Sequence, residues 1–300
     1  MSVIATLPNK LAGIPFLDIS GEVTSGNIYW VSSLTGSNDN NGTNPNVPFA
    51  TIDFAIGQCT SNKGDVIYVM PGHTETISAA GGITLDVAGV SVVGLGQRGT
   101  RPTITWTATA ATFRITAANC RIENLYCDAT GINAVVTPFS LEAAGFTMKN
   151  CEVYFAKTSY VALTVLTATT AAAANNLLVQ DCYIHGDAAA NCTNAFQFVG
   201  GSRIVFRNNR IIGAFTTSLG CINNITAAVT DILIDGNVLV NTTAISTKVI
   251  VLLTASTGQI VNNRMGILSG TAPITADAVE VVGGNYYKAA VGVAAAGTLL

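Results

Sequence analysis

Phe206-Arg207-Asn208-Asn209-Arg210-Ile211 sets a small polar residue between an apolar residue two before it and another three after it. The same frame returns along the chain. Asn150, Asp181, Asn208, Asp235 and Asn262 align as the turn, and the last three intervals are each 27 residues. Met148, Val179, Leu233 and Ile260 then fall with Phe206, and Val153, Ile184, Val238 and Met265 fall with Ile211. Strand, tight corner and strand at such a period cannot bury an apolar face alone, so the units must stack as a solenoid. Asn and Asp tolerate the left-handed backbone that the corner needs, and stacked Asn side chains can bond along the ladder. This predicts an all-β, right-handed parallel β-helix.

The array extends both ways. Arg121 to Tyr126, with Asn124 at the turn, and Gly89 to Leu95 read as the same strand and corner; Val281 to Tyr286 reads as a last, irregular unit. Unequal spacing places loops of varied length on the third side, Ala156 to Asn175 among them.

Ahead of the rungs lies a different pattern. Ile28-Tyr29-Trp30-Val31 reads as a strand, followed by the loop Gly36 to Thr43. Pro48 to Ile56 places Phe49, Ile52 and Ile56 on one helical face, and Gly64 to Gly72 is a strand closed by a Pro-Gly turn. A short helix plugging the solenoid's open end is what a repeat array requires. Three parts follow: an extended arm at 1–27, a cap at 28–76, and rungs with a closing segment at 77–300. The arm carries apolar patches, with Ile14, Phe16, Leu17 and Ile19 as candidate contacts, but no strand or helix periodicity of useful length. A segment of this kind needs an anchor, so it is expected to dock on the solenoid or on a neighbouring subunit.

Together the Tyr-Trp-Val strand, the Gly-Ser-Asn-Asp-x-x-Gly loop, the Pro-Phe-x-Thr-Ile segment and the Gly-Asp-x-Ile-Tyr-Val-x-Pro-Gly strand resemble the N-terminal cap of the pectate-lyase-like β-helix superfamily. The resemblance is close over 28–76 and loose to about 286. It implies mainly a fold, because that superfamily includes polysaccharide lyases, glycoside hydrolases, and bacteriophage tailspikes and other virion proteins, often trimeric, and its cap motif carries no catalytic residues. Fold does not decide function.

Composition narrows the partners. Only 10% of residues are charged and 49% are hydrophobic, against about 25% charged in an average soluble domain. No apolar run approaches the roughly 18–20 residues that a spanning helix needs. A charge-poor surface of Thr, Ser, Asn and Ala suits coverage by other subunits. With 14 Lys+Arg against 17 Asp+Glu there is no basic stripe, so nucleic acid is not an expected partner. The seven cysteines include no CxxC pair, and Cys151 and Cys182 fall one after the turn, where free thiols would stack as small apolar groups. No signal peptide is legible.

Glycoside hydrolysis needs two carboxylates about 5–9.5 Å apart. Glu123 and Glu152 come closest, beside the corner on neighbouring coils. The Glu152 column, continued through Tyr183, Arg210, Asn237 and Arg264, reads as an outward row of mixed polarity. A lyase would recruit Asp128, Glu152 and Arg210, without an acidic cluster. Asp39 stands alone among Asn residues as a weak calcium ligand at best; His73 and His185 read as surface or edge residues, and Trp106 is the aromatic left for a glycan groove. No metal or cofactor is expected. The favoured reading is a non-enzymatic phage virion component, a homotrimeric capsid decoration or cement protein. It would contact itself and the major capsid protein and assemble in the host cytoplasm. The alternative is a tailspike-type β-helix that binds or depolymerises carbohydrate.

Overall fold

The computed structural model describes residues 10–11, 14–17, 23–157, 160–187, 191–215, 220–243, 248–268, 273–276, 279–288 and 298–299. They form a parallel β-solenoid of about 7 turns. Each coil contributes one strand to each of three sheets. The first sheet runs from Ile28–Val31 through Arg121–Glu123, Thr147–Lys149 and Gly201–Arg207 to Glu280–Val281. The second runs from Thr74–Ile77 through Tyr126–Asp128, Glu152–Lys157 and Arg210–Phe215 to Tyr286–Lys288, where Thr298–Leu299 adds an antiparallel edge. The third has eight strands, from Ile83–Leu85 to Ile274–Thr275. Thr164–Ala168 belongs to it, so the span Ala156 to Asn175, expected to be a loop, contributes a strand as well.

Inside, like positions stack. Val92, Ile122, Met148, Val179, Phe206, Ile234 and Ile260 form one buried column of the first sheet. Cys127, Val153, Ile184, Ile211, Leu239 and Met265 form its counterpart in the second. Each aliphatic side chain so buried is worth about 1.5–3 kcal/mol. Trp106, expected as a groove aromatic, is instead fully buried and packs edge-on against Phe139 at 5.3 Å.

The corner between the first and second sheets is left-handed, as expected, at Asn124, Asn150, Asp181, Asn208 and Asn262, with φ between 51° and 58°. Asp235 is not part of it. Asp235 pairs with Arg207 inside a strand, and Gly236 at φ 69° takes the corner. The true intervals around Gly236 are therefore 28 and 26, and the run of 27 arose because Asp and Gly are adjacent and both fit a corner. That slip reverses one coil: Leu233 and Val238 face outward, Ile234 and Leu239 inward, and Val238 rather than Asn237 continues the Glu152 column. A second left-handed column, Gly89, Asn119, Gly145, Asn176, Arg203 and Asp231, turns the chain into the first sheet, each followed by a buried apolar residue from Val90 to Ile232.

The cap helix forms but is shorter than read: Phe49, expected on its face, lies ahead of it in an isolated bridge to Val31, and is buried there. Ile52–Gly57 is helical, Thr51 accepts a bond from the Phe54 amide as N-cap, and Ile52 and Ile56 are buried. His73, expected at the surface, is fully buried: its Nδ1 accepts from Ser33 N at 2.9 Å and its Nε2 meets Glu75 Oε2 at 3.0 Å. In the arm, where no regular element was expected, Lys10–Leu11, Ile14–Leu17 and Val23–Thr24 pair as a separate antiparallel sheet. Ile14, Phe16 and Leu17 lie in its middle strand, and Ile19 lies outside the described residues.

Candidate functional site

After Ser91–Gly94 the tight corner is replaced by a loop, Leu95 to Pro102, containing one short turn of 3-10 helix at Arg98–Thr100. Asn124 on the next coil holds it, donating from Nδ2 to Gly94 O at 2.8 Å and Gly96 O at 3.0 Å. The loop overhangs the outer face of the second sheet. Under it lies a cleft of about 710 Å³ lined by Gln97, Arg98, Arg101, Tyr126, Asn150 and Glu152, a size within the usual range for small-ligand sites.

Thr103, Tyr126, Glu152, Tyr183, Arg210, Val238 and Arg264 form one outward column across successive coils. Glu152 is its centre. Arg101 reaches across the Tyr126 coil to bond Glu152 Oε2, and His185 Nε2 lies 3.1 Å from Oε1. The imidazole is sandwiched between Tyr183, at 4.2 Å and 12°, and Tyr154, at 4.9 Å and 24°. The Arg210 guanidinium sits 5.2 Å from the Tyr183 ring centre, within cation–π range. Tyr154 donates to Asp187 at 3.1 Å, and burial followed by that bond raises its phenol. Burial first, then the negative charges of Asp128 and Glu152, push the Tyr126 phenol up to about 12.

Of the acids singled out from sequence, Asp128 and Glu152 come together around Tyr126. They are diagonal neighbours on adjacent strands, a relation that spans roughly 7–8 Å between backbones. Asp128 accepts from the Thr130 amide at 2.9 Å and its hydroxyl at 2.5 Å. Glu123 stands across the corner in the first sheet, ion-paired with Arg121 at 3.6 Å and Lys149 at 3.9 Å. Arg210 lies two coils beyond Glu152 and its guanidinium rests on Tyr183 instead. Sequence reasoning missed Arg101 and Tyr126 and set His185 aside. Register was the available signal, since His185 follows Tyr183, the neighbour of Glu152, by two residues on the same face.

One residue past the corner, buried side chains stack inward: Leu125, Cys151 and Cys182, then Asn209, Asn237, Asn263 and Asn285. Asn237 Oδ1 accepts from Asn209 N and Nδ2, while its own Nδ2 donates to Phe206 O, Asp235 O and Asn263 Oδ1. The strong ladder therefore lies inside the corner, one residue on from the residues that make it. All seven cysteines are free, and burial pushes the Cys127 and Cys182 thiols up. Among the described residues no group of three or more His, Cys, Asp or Glu is placed to hold a metal ion.

No family model matches the chain, and no curated protein is significantly similar to it. Among solved structures, a rhamnogalacturonan lyase is similar at 12% identity and a TM-score of 0.36, over 86% of this chain and 87% of that one. Geobacillus virus E2 ORF18 is similar at 14% and 0.34, over 79% and 57%. A GH136 lacto-N-biosidase from Eubacterium ramulus is similar at 9% and 0.34, over 85% and 68%. Likenesses this distant carry no argument about activity, and the solenoid rests on its own strand register.

Proposed function

We propose that the chain is a non-catalytic structural β-helix of a virus particle, a capsid decoration protein that self-associates, as a homotrimer, and covers a coat subunit. One observation carries the non-catalytic part: each candidate acid is already engaged. Glu152 is held by Arg101 and His185, Glu123 by Arg121 and Lys149, and Asp128 by Thr130. These partners belong to the protein itself, whereas a glycosidase turns two carboxyl groups on the scissile bond from either side. The virion setting is supported by a chain poor in charge, 10% of residues, which suits a surface covered by other subunits. The arm, folded as its own small sheet, supplies a docking element.

A second reading keeps one specific observation on its side. Asp128 and Glu152 flank Tyr126, and Tyr126 and Glu152 line a cleft of ligand size in which a carbohydrate-active site would place one of its two acids. Two measurements separate the readings. Light scattering on the purified chain should give a mass three times 30.9 kDa, and incubation with capsular polysaccharide or lipopolysaccharide should release no oligosaccharide. A monomer would overturn the self-associating reading; release that disappears in Glu152→Gln would install the enzyme.

A further inference from the structure

The ridge where the first sheet turns into the second is unevenly charged. Arg98, Arg210 and Arg264 are exposed there, with no carboxylate in ion-pair range among the described residues. Among the described residues, Asp181 is the ridge carboxylate that lacks a cationic partner, and it takes a bond from the Gln180 amide at 2.9 Å. This surplus of positive charge sits on a chain whose net charge is −3. Tyrosine accompanies it. Tyr183 stands beside Arg210 in the same column, and Tyr286, 53% exposed, stands beside Arg264.

Tyrosine and arginine are the side chains that most often anchor protein interfaces, because each offers rigid area together with a polar head. Arg210 is already held in place by its neighbour's ring, so little side-chain freedom is lost on docking. Nucleic acid would also meet arginine and stacked tyrosine. Here, however, Asp181, the ridge carboxylate without a cationic partner, sits on a coil between those of Arg98 and Arg210 and would repel a continuous phosphate backbone. Separate carboxylates can be placed on either side of it.

We infer that this ridge docks an acidic protein surface, with Arg210 and Arg264 pairing its carboxylates and Tyr183 and Tyr286 packing alongside. The inference rests on the structural reading above and names the face through which the particle would be held.

Poly-L-glutamate is the probe for an acidic polypeptide, oligothymidylate the probe for phosphate, and the full chain the receptor. Arg210→Glu/Arg264→Glu should weaken poly-L-glutamate binding at least tenfold. Lys63→Glu/Lys157→Glu, an equal charge change elsewhere on the surface, should weaken it less than threefold. Arg210→Gln/Arg264→Gln should fall between, with unchanged melting, and binding by the wild type should decline as salt rises. Equal loss in the two charge-reversed proteins, tighter binding of oligothymidylate, or no binding of poly-L-glutamate would each overturn the inference. The scattering mass reads self-association separately. A monomer that binds poly-L-glutamate at the ridge retains this inference and loses the trimer, and a trimer that ignores the probe does the reverse.

Discussion

Two halves of the inner corner do the same work with different chemistry. In the C-terminal half, Asn209, Asn237, Asn263 and Asn285 pass hydrogen bonds from coil to coil. In the N-terminal half, Cys182 and Cys151 hold the equivalent positions. The Cys182 sulfur lies 3.6 Å from Met148 O and 3.2 Å from Gln180 O and its single hydrogen can serve one of them, whereas Asn237 Nδ2 donates to both equivalents, Phe206 O and Asp235 O. The corner conformation is thus not created by the amides. What they supply is partners for buried backbone groups, and where thiols stand, packing holds the coils together instead.

The first way to break this comparison is Asn237→Ala. Five hydrogen bonds end on that side chain, and each buried group left without a partner costs about 1–3 kcal/mol. A loss of about 4 kcal/mol in chemical denaturation is expected. A loss below about 1 kcal/mol would mean that water or relaxation replaces the ladder.

Next comes the coil whose register the Asp-Gly pair disguises. Ile234 is buried and its neighbour Leu233 faces outward, partly exposed, so Ile234→Ala should cost about 2–4 kcal/mol through transfer and cavity terms. Leu233→Ala should cost less than about 1. The opposite order in paired urea titrations would put the corner back at Asp235, since a one-residue slip exchanges the faces.

A smaller effect sharpens the thiol half. Cys182→Ala removes one buried sulfur and should cost about 1 kcal/mol, near the value of one buried methylene. Cys182→Asn should stay within about 1 kcal/mol of the wild type, because an amide there faces Met148 O on one side and Asn209 on the other. If Cys182→Asn melts far below Cys182→Ala, the two halves differ in backbone geometry and not only in side chain.

The solenoid was legible because a left-handed corner admits few residue types, so Asn124, Asn150, Asp181, Asn208 and Asn262 announce themselves. Asp235-Gly236 offers two admissible corners in succession, and only hydrogen-bond register chooses between them. The ladder was half legible: stacked Asn was expected, but at the corner, whereas the amides that bond best point into the core one residue later. The cleft was not legible. Arg101 and Glu152 are 51 residues apart and His185 and Glu152 are 33 apart, and a carboxylate's partners across coils are visible only once every intervening loop is counted. The 3-10 turn that carries Arg98 breaks the repeat, which is why the site beside it left no periodic trace.

The smallest effect belongs to Gly236→Asn at the corner itself, which with Gly236→Val tests whether Gly236 is there for its conformation or for lack of a side chain. Its φ of 69° lies in the same left-handed region as the 51–58° that Asn adopts at the other coils. A Cβ added there would come 2.7 Å from Asn208 Oδ1, the end of an exposed side chain that can swing aside. Gly236→Asn should therefore leave stability within about 0.5 kcal/mol, because any strain is offset by the smaller conformational freedom of the unfolded chain. Gly236→Val meets the same space but resists the left-handed region, and should lose about 1–2 kcal/mol. Thermal melts of the two variants decide the matter: if they fall together, space and not φ governs that corner, and the equivalence drawn between Gly236 and the four Asn corners fails.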